Sequence, residues 1–331
     1  MDSPENRATK ELFDKTLISE EQFSAIKAYR SLGIFSLHNE LLFLIYLSVL
    51  LFTGGAGILI YQNIDTIGHT VILALLFGIA AGCFWLCYKK ATGFSKQETV
   101  FESPVYDYLV LLGTLLSCIF VGYLQFQYQA FGSGFSLAAF VSAAIAFAAA
   151  YYFDNRSALT IGITGLAAFI GITITPQAVI DNEIYTTDAL SYYGLGLGMA
   201  LIVWAEYCEK ADLKKHFGLV FLTFALHLIG LCSIKGMTED YWFLYIPALA
   251  ASTYYFYKKS YNIQAISIFV FTLIYGYIGV NILATRILNF IRLDEFFSLL
   301  IILFPVYIIG SIVLFIRAIK QFNKQKDDSN R

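Results

Sequence analysis

The chain reads as long apolar runs separated by short polar stretches. Ten runs stand out, at about residues 41–61, 70–88, 106–126, 134–153, 157–175, 189–207, 217–234, 241–257, 263–284 and 296–316. A helix rises 1.5 Å per residue, so about 20 residues cross a hydrocarbon core of about 30 Å. Each run is long enough with some tilt, the eighth being the shortest. A closed barrel is the other way to satisfy backbone groups in lipid. Its strands alternate apolar and polar residues, and a run such as Val71–Leu76 does not. The pattern predicts an all-α, polytopic transmembrane bundle of about ten spans.

The polar ends divide the chain into three parts: a helical head over 1–40, a ten-helix membrane domain over 41–316, and a charged tail over 317–331. Within the head, residues 3–32 are expected to form a small helical hairpin. Ser3 and Pro4 suit the cap and first position of a helix, and Ala8, Leu12 and Phe13 line one side. Ser19-Glu-Glu-Gln22 has the spacing of a capping box, and Phe23, Ile26 and Tyr29 follow at helical spacing. Two short amphipathic helices bury little area alone. The head is therefore expected to dock, on a partner protein or a second copy, rather than to catalyse.

Composition agrees with the spans. Of 331 residues, 58% are hydrophobic and 14% charged, against about 45–50% and about 25% in soluble domains. The placement of charge says more than the net value of −2. The two termini and the segments after spans 2, 4, 6 and 8 hold 19 of the 22 Lys and Arg residues; the opposite segments hold 3. Basic segments resist translocation, so the first group is expected to face the cytoplasm of a cell inner (plasma) membrane, with both termini inside. Eight acids, including Asp181, Glu239 and Asp240, make the other side acidic.

No soluble-enzyme motif is present: there is no GxSxG, HExxH or phosphate-binding Gly-Lys-Ser loop. The five cysteines lie in or beside apolar runs, with no CxxC pair, so neither a disulfide framework nor a metal site is expected. No cofactor and no nucleic-acid partner is expected, the bilayer being the certain surrounding. Glycines and small residues at four-residue spacing, Gly78 with Gly82, Gly194 with Gly198, and Ser142, Ala146 and Ala150, suggest close helix packing.

One stretch carries a family likeness. Leu12-Phe-Asp-Lys-Thr-Leu-Ile-Ser-Glu-Glu-Gln-Phe23 precedes a glycine-bearing first span, Leu51-Phe-Thr-Gly-Gly-Ala-Gly-Ile-Leu-Ile-Tyr61, which ends in Gln62-Asn-Ile-Asp65. Over about residues 8–90 this resembles the bacterial membrane proteins grouped as domain of unknown function 2157. Their pattern is a short helical head, a glycine-rich first helix, and an Asn-x-Asp just beyond it. The resemblance implies a bacterial inner-membrane protein and brings no activity with it.

Candidate polar residues are few. Asn63, Asp65 and His69 cluster beyond the first span, where they suit a cation or polar ligand, or a turn capping the next helix. His227 in span 7 and Asn281 in span 9 are mid-span polar residues able to bond across helix interfaces. Asp107 and Glu206 stand near inner span ends, in reach of water or of basic residues such as Lys89 or Lys210. Pro247 and Pro305 lie inside spans 8 and 10, where each removes a backbone hydrogen bond and favours a kink. With no ionisable group at mid-membrane, a carrier driven by a buried carboxylate is disfavoured. The leading expectation is a transporter-like facilitator or binding protein for a small neutral or weakly polar solute. The rival is a non-transporting scaffold or sensor acting through the head.

Overall fold

The structure is a computed structural model describing residues 12–13, 15, 18–31, 38–62, 68–174, 188–291 and 297–329. Eleven helices and no strands are found among them. They are α1 (Glu20–Ser31), α2 (His38–Gln62), α3 (His69–Lys90), α4 (Val105–Tyr128), α5 (Ser136–Phe153), α6 (Arg156–Ile174), α7 (Asp188–Lys210), α8 (Gly218–Gly236), α9 (Trp242–Asn262), α10 (Ile266–Ile291) and α11 (Phe297–Ser329). The ten expected spans are thus α2 to α11.

Nine helices among the described residues are apolar and long enough to cross a membrane. The remaining expected span, α9, has the length, with 21 residues, but five tyrosines and two lysines make it more polar. Helix α11 continues to Ser329, through most of the charged tail.

Two compact units divide the chain, residues 1–55 and 56–331. In the first, α1 begins as its spacing predicts. The Ser19 hydroxyl accepts the Gln22 N–H at 3.2 Å, and Gln22 Oε1 accepts the Ser19 N–H at 2.9 Å. Both orphan donors at the helix start are satisfied reciprocally. Phe13 stacks on Phe23 at 4.6 Å between ring centroids.

In the second unit, helices pack as sequential antiparallel neighbours, α3 on α4, α5 on α6, α7 on α8 and α9 on α10. Helix α8 lies deepest: it also meets α6, α9 and α10, and buries Phe221, Leu222, Ala225 and Ile229. The small-residue stripe works as expected on α5. Ala146 and Ala150 are fully buried, and a side chain at Gly165 would sit 3.1 Å from Ala143.

The two glycine pairs part company. Cβ atoms at Gly194 and Gly198 would collide with Cys232 and Ile229 of α8, so these glycines let two helices approach. Gly78 and Gly82 are a correction: a Cβ on either would meet nothing within 4 Å. They stand off the α3 face that buries Ile72, Leu76, Ala80 and Cys83.

Side-chain bonds sort the connecting segments into two ends. Gln97 reaches Asp212, Glu98 pairs with Arg156, and Thr99 reaches Asp154, joining the segments after α3, α5 and α7. Lys259 at the end of α9 pairs with Glu206 and Glu209 of α7. At the opposite end, His69 and Thr70 meet Tyr123 and Tyr128, and Arg286 bonds the Thr238 carbonyl. Each helix from α3 to α10 therefore runs from one end to the other, and the basic segments share an end.

Candidate functional site

The residues singled out by sequence do not converge on one place. Asn63 and Asp65 lie outside the described residues. His69 opens α3, and its Nδ1 is 2.7 Å from the Tyr123 hydroxyl. His227 on α8 sits 2.8 Å from the Tyr275 hydroxyl on α10, with Phe271 edge-on at 4.7 Å. Gly230, one turn on, permits this: a Cβ there would lie 2.6 Å from the Tyr275 ring.

Asn281 makes a different arrangement. Its amide donates to the Tyr277 carbonyl at 2.7 Å, and its Oδ1 accepts the Tyr307 hydroxyl at 2.8 Å. Tyr307 lies two residues beyond Pro305, on α11. Around this pair is an open cavity of about 570 Å³, also lined by Thr238, Thr285 and Arg286. The Arg286 guanidinium is held by the Thr238 carbonyl at 2.5 Å. The cavity sits between α10 and α11, toward the acidic end of the bundle. Pro247 has a separate setting: Leu249 and Ala250, just after it, line an apolar groove of about 500 Å³ against Gly276 and Gly279 of α10. Both prolines stand inside helices that continue past them.

The densest polar chemistry is elsewhere and carries no motif. At the basic end, Asp154 and Lys214 have fully buried side chains, with Lys214 Nζ 3.0 Å from Asp154 Oδ2. That ammonium has no aligned hydrogen bond, so the contact is an ion pair, with the Phe94 ring 5.8 Å away. The Thr99 N–H donates to the same carboxylate at 2.6 Å and its hydroxyl at 3.2 Å. His216 Nε2 engages the other oxygen. The backbone is shaped for this: Asp154 and Lys214 hold left-handed φ values of 59° and 48°, and Lys214 N–H donates to the Lys96 carbonyl at 2.7 Å. Burial by itself would raise the Asp154 pKa; the Thr99 N–H, Lys214 and His216 outweigh it and hold the carboxyl below its usual range. Asn155 then caps α6 by accepting the Ala158 N–H at 2.9 Å, and donates to the Asp107 carbonyl at 3.0 Å.

The two span-end acids take hydrogen-bond partners other than Lys89 and Lys210, although Lys210 still acts on Glu206 at longer range. Glu206 accepts from Lys259 at 2.7 Å and from the Tyr255 hydroxyl at 2.6 Å. Lys89 instead lies over the Trp85 ring at 3.6 Å. The reason is topological: α9 returns beside α7 at the same end, a neighbourhood that spacing along the chain does not encode. All five cysteines are free, and Cys87 donates to the Tyr106 carbonyl at 3.4 Å.

Helices, spans and buried connections define a polytopic α-helical membrane protein. Residues 10–159 match the model of a family described as predicted membrane protein, DUF2157. The resemblance noted over about residues 8–90 stands and extends to the start of α6. No curated protein and no solved structure matches the chain.

Proposed function

We propose that this membrane protein is transporter-like, binding a small neutral or weakly polar solute in the cavity between α10 and α11. The Asn281–Tyr307 bond carries the reading: an amide and a phenol from two helices meet in an open cavity of about 570 Å³. That volume suits a small ligand, and a few convergent polar groups in a largely apolar wall suit an uncharged one. Thr238 and Thr285 add hydroxyls, and Pro305, two residues before Tyr307, frees the carbonyl of Ile301 one turn before itself. In the same reading the membrane is a bacterial inner membrane, the basic end faces the cytoplasm, and the cavity lies toward the outside. A cytoplasm-only reporter fused after residue 331 should then be active; activity near Asp181 instead would reverse the orientation.

The solute reading is tested by comparing metabolite levels in cells with and without the protein, then with Tyr307→Phe and Asn281→Leu. At least one uncharged solute should change, and both variants should reduce the change. No change in any solute overturns the reading. The reciprocal capping at Ser19 and Gln22, with Phe13 stacked on Phe23, favours a second reading, a scaffold or sensor acting through its head. Deleting residues 3–32 would then abolish the cellular effect, while the same deletion leaves solute levels untouched if the first reading holds.

A further inference from the structure

The basic end holds a further cavity, separate from the one between α10 and α11 and independent of the reading placed there. Its volume is about 380 Å³, within the range of small-ligand sites. The floor is apolar and buried, formed by Ala205 at the end of α7 and Leu222 in the first turns of α8. The rim is charged, with Glu209, Lys215, His216 and Lys259. Every element around it is a span end or a connecting turn, so the pocket lies at the depth where lipid headgroups meet water.

Three features narrow the ligand. First, both signs of charge are present in near balance. Lys259 is matched by Glu206 at 2.7 Å and Glu209 at 2.6 Å, and Lys215 by Asp212 at 2.9 Å. His216 is turned to Asp154, which also pairs with Lys214. A site for a simple anion would hold a surplus of cation, and this one does not. Second, the opposite charges that face water can exchange partners. The Glu209 and Lys215 side chains are 58% and 56% exposed, and pairs so exposed hold their partners weakly. Third, two helix starts open on the cavity. Helix α8 follows a 3-10 turn over Lys215–Phe217 and begins at Gly218 without a side-chain cap, its first N–H taken by the Lys215 carbonyl. Ala265, whose N–H is taken by the Ser260 carbonyl, precedes the first residue of α10. With those first N–H groups engaged, what the helix starts offer a phosphate is the positive end of the dipole. Gly218 has φ of −52°, which any residue adopts, and a Cβ there would meet nothing within 4 Å. Neither backbone nor packing asks for glycine, and the space beside its Cα is unfilled.

We propose that this pocket binds a zwitterionic phospholipid headgroup, its phosphate against Lys215 and the first turn of α8, its ammonium against Glu209. The apolar floor then receives the glycerol backbone and the first carbons of the acyl chains. The phosphate-plus-amine chemistry is shared by a water-soluble fragment such as phosphoethanolamine, but that fragment has nothing to place on the floor.

The test uses the purified full-length protein in detergent, titrated with phosphatidylethanolamine, phosphatidylglycerol, phosphoethanolamine or inorganic phosphate, and read by native mass spectrometry and thermal unfolding. Phosphatidylethanolamine should stay bound at one copy and raise the Tm, with phosphatidylglycerol at least about tenfold weaker. Glu209→Gln should remove the preference between the two lipids. Lys215→Ala and Gly218→Val should weaken both, while the lipid-free Tm of all three variants stays near that of the parent, since the altered groups are exposed or face open space. Equal retention of the two lipids, or lipid binding unchanged in Lys215→Ala and Gly218→Val, overturns the proposal. Phosphoethanolamine or inorganic phosphate binding as tightly as the lipid overturns its assignment to a headgroup.

Discussion

Asp154 and His227 are both polar residues in an apolar protein, and they are handled in opposite ways. Asp154 sits at a helix end, where two other connecting segments bring it a backbone N–H, a hydroxyl, an ammonium and an imidazole. His227 sits within a span and has one hydroxyl, from Tyr275, and ring edges around it. The difference follows from what each setting supplies. A charge taken from water needs several ligands to offset its desolvation, and loops deliver them here, as the end of α9 does for Glu206. Within a span, backbone groups are consumed by the helix, so neighbouring side chains are what remain, and a neutral pair suffices. The bundle thus places its paired charges at helix ends and where loops converge, and the described polar residues deeper in the spans make neutral hydrogen bonds.

The comparison breaks most visibly if the carboxylate is removed. Asp154→Ala leaves the Lys214 ammonium, fully buried, without its counter-charge. Breaking a buried pair from one side costs about 3–5 kcal/mol, enough to abolish much of the folded population in detergent, read by thermal unfolding. The double replacement Asp154→Leu with Lys214→Met removes both charges and should recover most of the loss. If the single variant melts with the parent, the cluster is solvated and the contrast with His227 disappears.

Acid probes the same carboxylate without mutation. Its folded pKa lies below the ordinary value, so it contributes stability that is present above about pH 3.9, the unfolded value. That contribution is lost as the pH falls through the lower, folded pKa. The parent Tm should therefore fall more steeply below about pH 4 than that of the Asp154→Leu/Lys214→Met variant. Parallel curves would mean that other carboxylates set the acid limit.

The packing around His227 can be broken from the next turn. Gly230→Val would drive a side chain into Tyr275, whose ring is 2.6 Å from the position a Cβ would take. Overpacking of this kind costs about 1–3 kcal/mol, smaller than the loss at Asp154, and should be read as a lowered Tm with the His227–Tyr275 bond lost. The same substitution at Gly78, where a Cβ meets nothing within 4 Å, should leave the Tm unchanged.

That pair of glycines also shows where the sequence stops informing. The ten helices were legible because an apolar run long enough to cross a bilayer allows little else. The observed ends fall within a few residues of the expected ones except at the C-terminal ends of α9, α10 and α11, which run on to Asn262, Ile291 and Ser329. The polar tail beyond Ile316 continues the helix, with Phe322 buried against Phe269 and Tyr261, a contact made by residues far apart in the chain. Gly78-x3-Gly82 and Gly194-x3-Gly198 have one spacing and two fates, since spacing gives a face and not what it meets. The candidate site was less legible still. Asp154, Lys214 and His216 read as ordinary loop charges; they become a cluster only because α5 and α7 end at the same side. Asn281 was visible as a mid-span amide, but its partner Tyr307 is 26 residues away on another helix.

The smallest expected effect is at His227 itself. Its bond to Tyr275 joins two neutral partners in a setting where membrane hydrogen bonds average about 0.6 kcal/mol and rarely exceed about 2. His227→Leu should lower the Tm only slightly, because leucine keeps most of the packing against Phe271 while leaving the Tyr275 hydroxyl to find another acceptor. Tyr275→Phe should cost a similar amount. The double variant should cost less than the two single effects added, by the energy of the bond they share. A coupling near zero would mean that the bond adds nothing to the packing of rings around it. A coupling as large as the loss at Asp154 would mean that His227 carries charge in the folded state, and the division between charged ends and a neutral interior would fail at that residue.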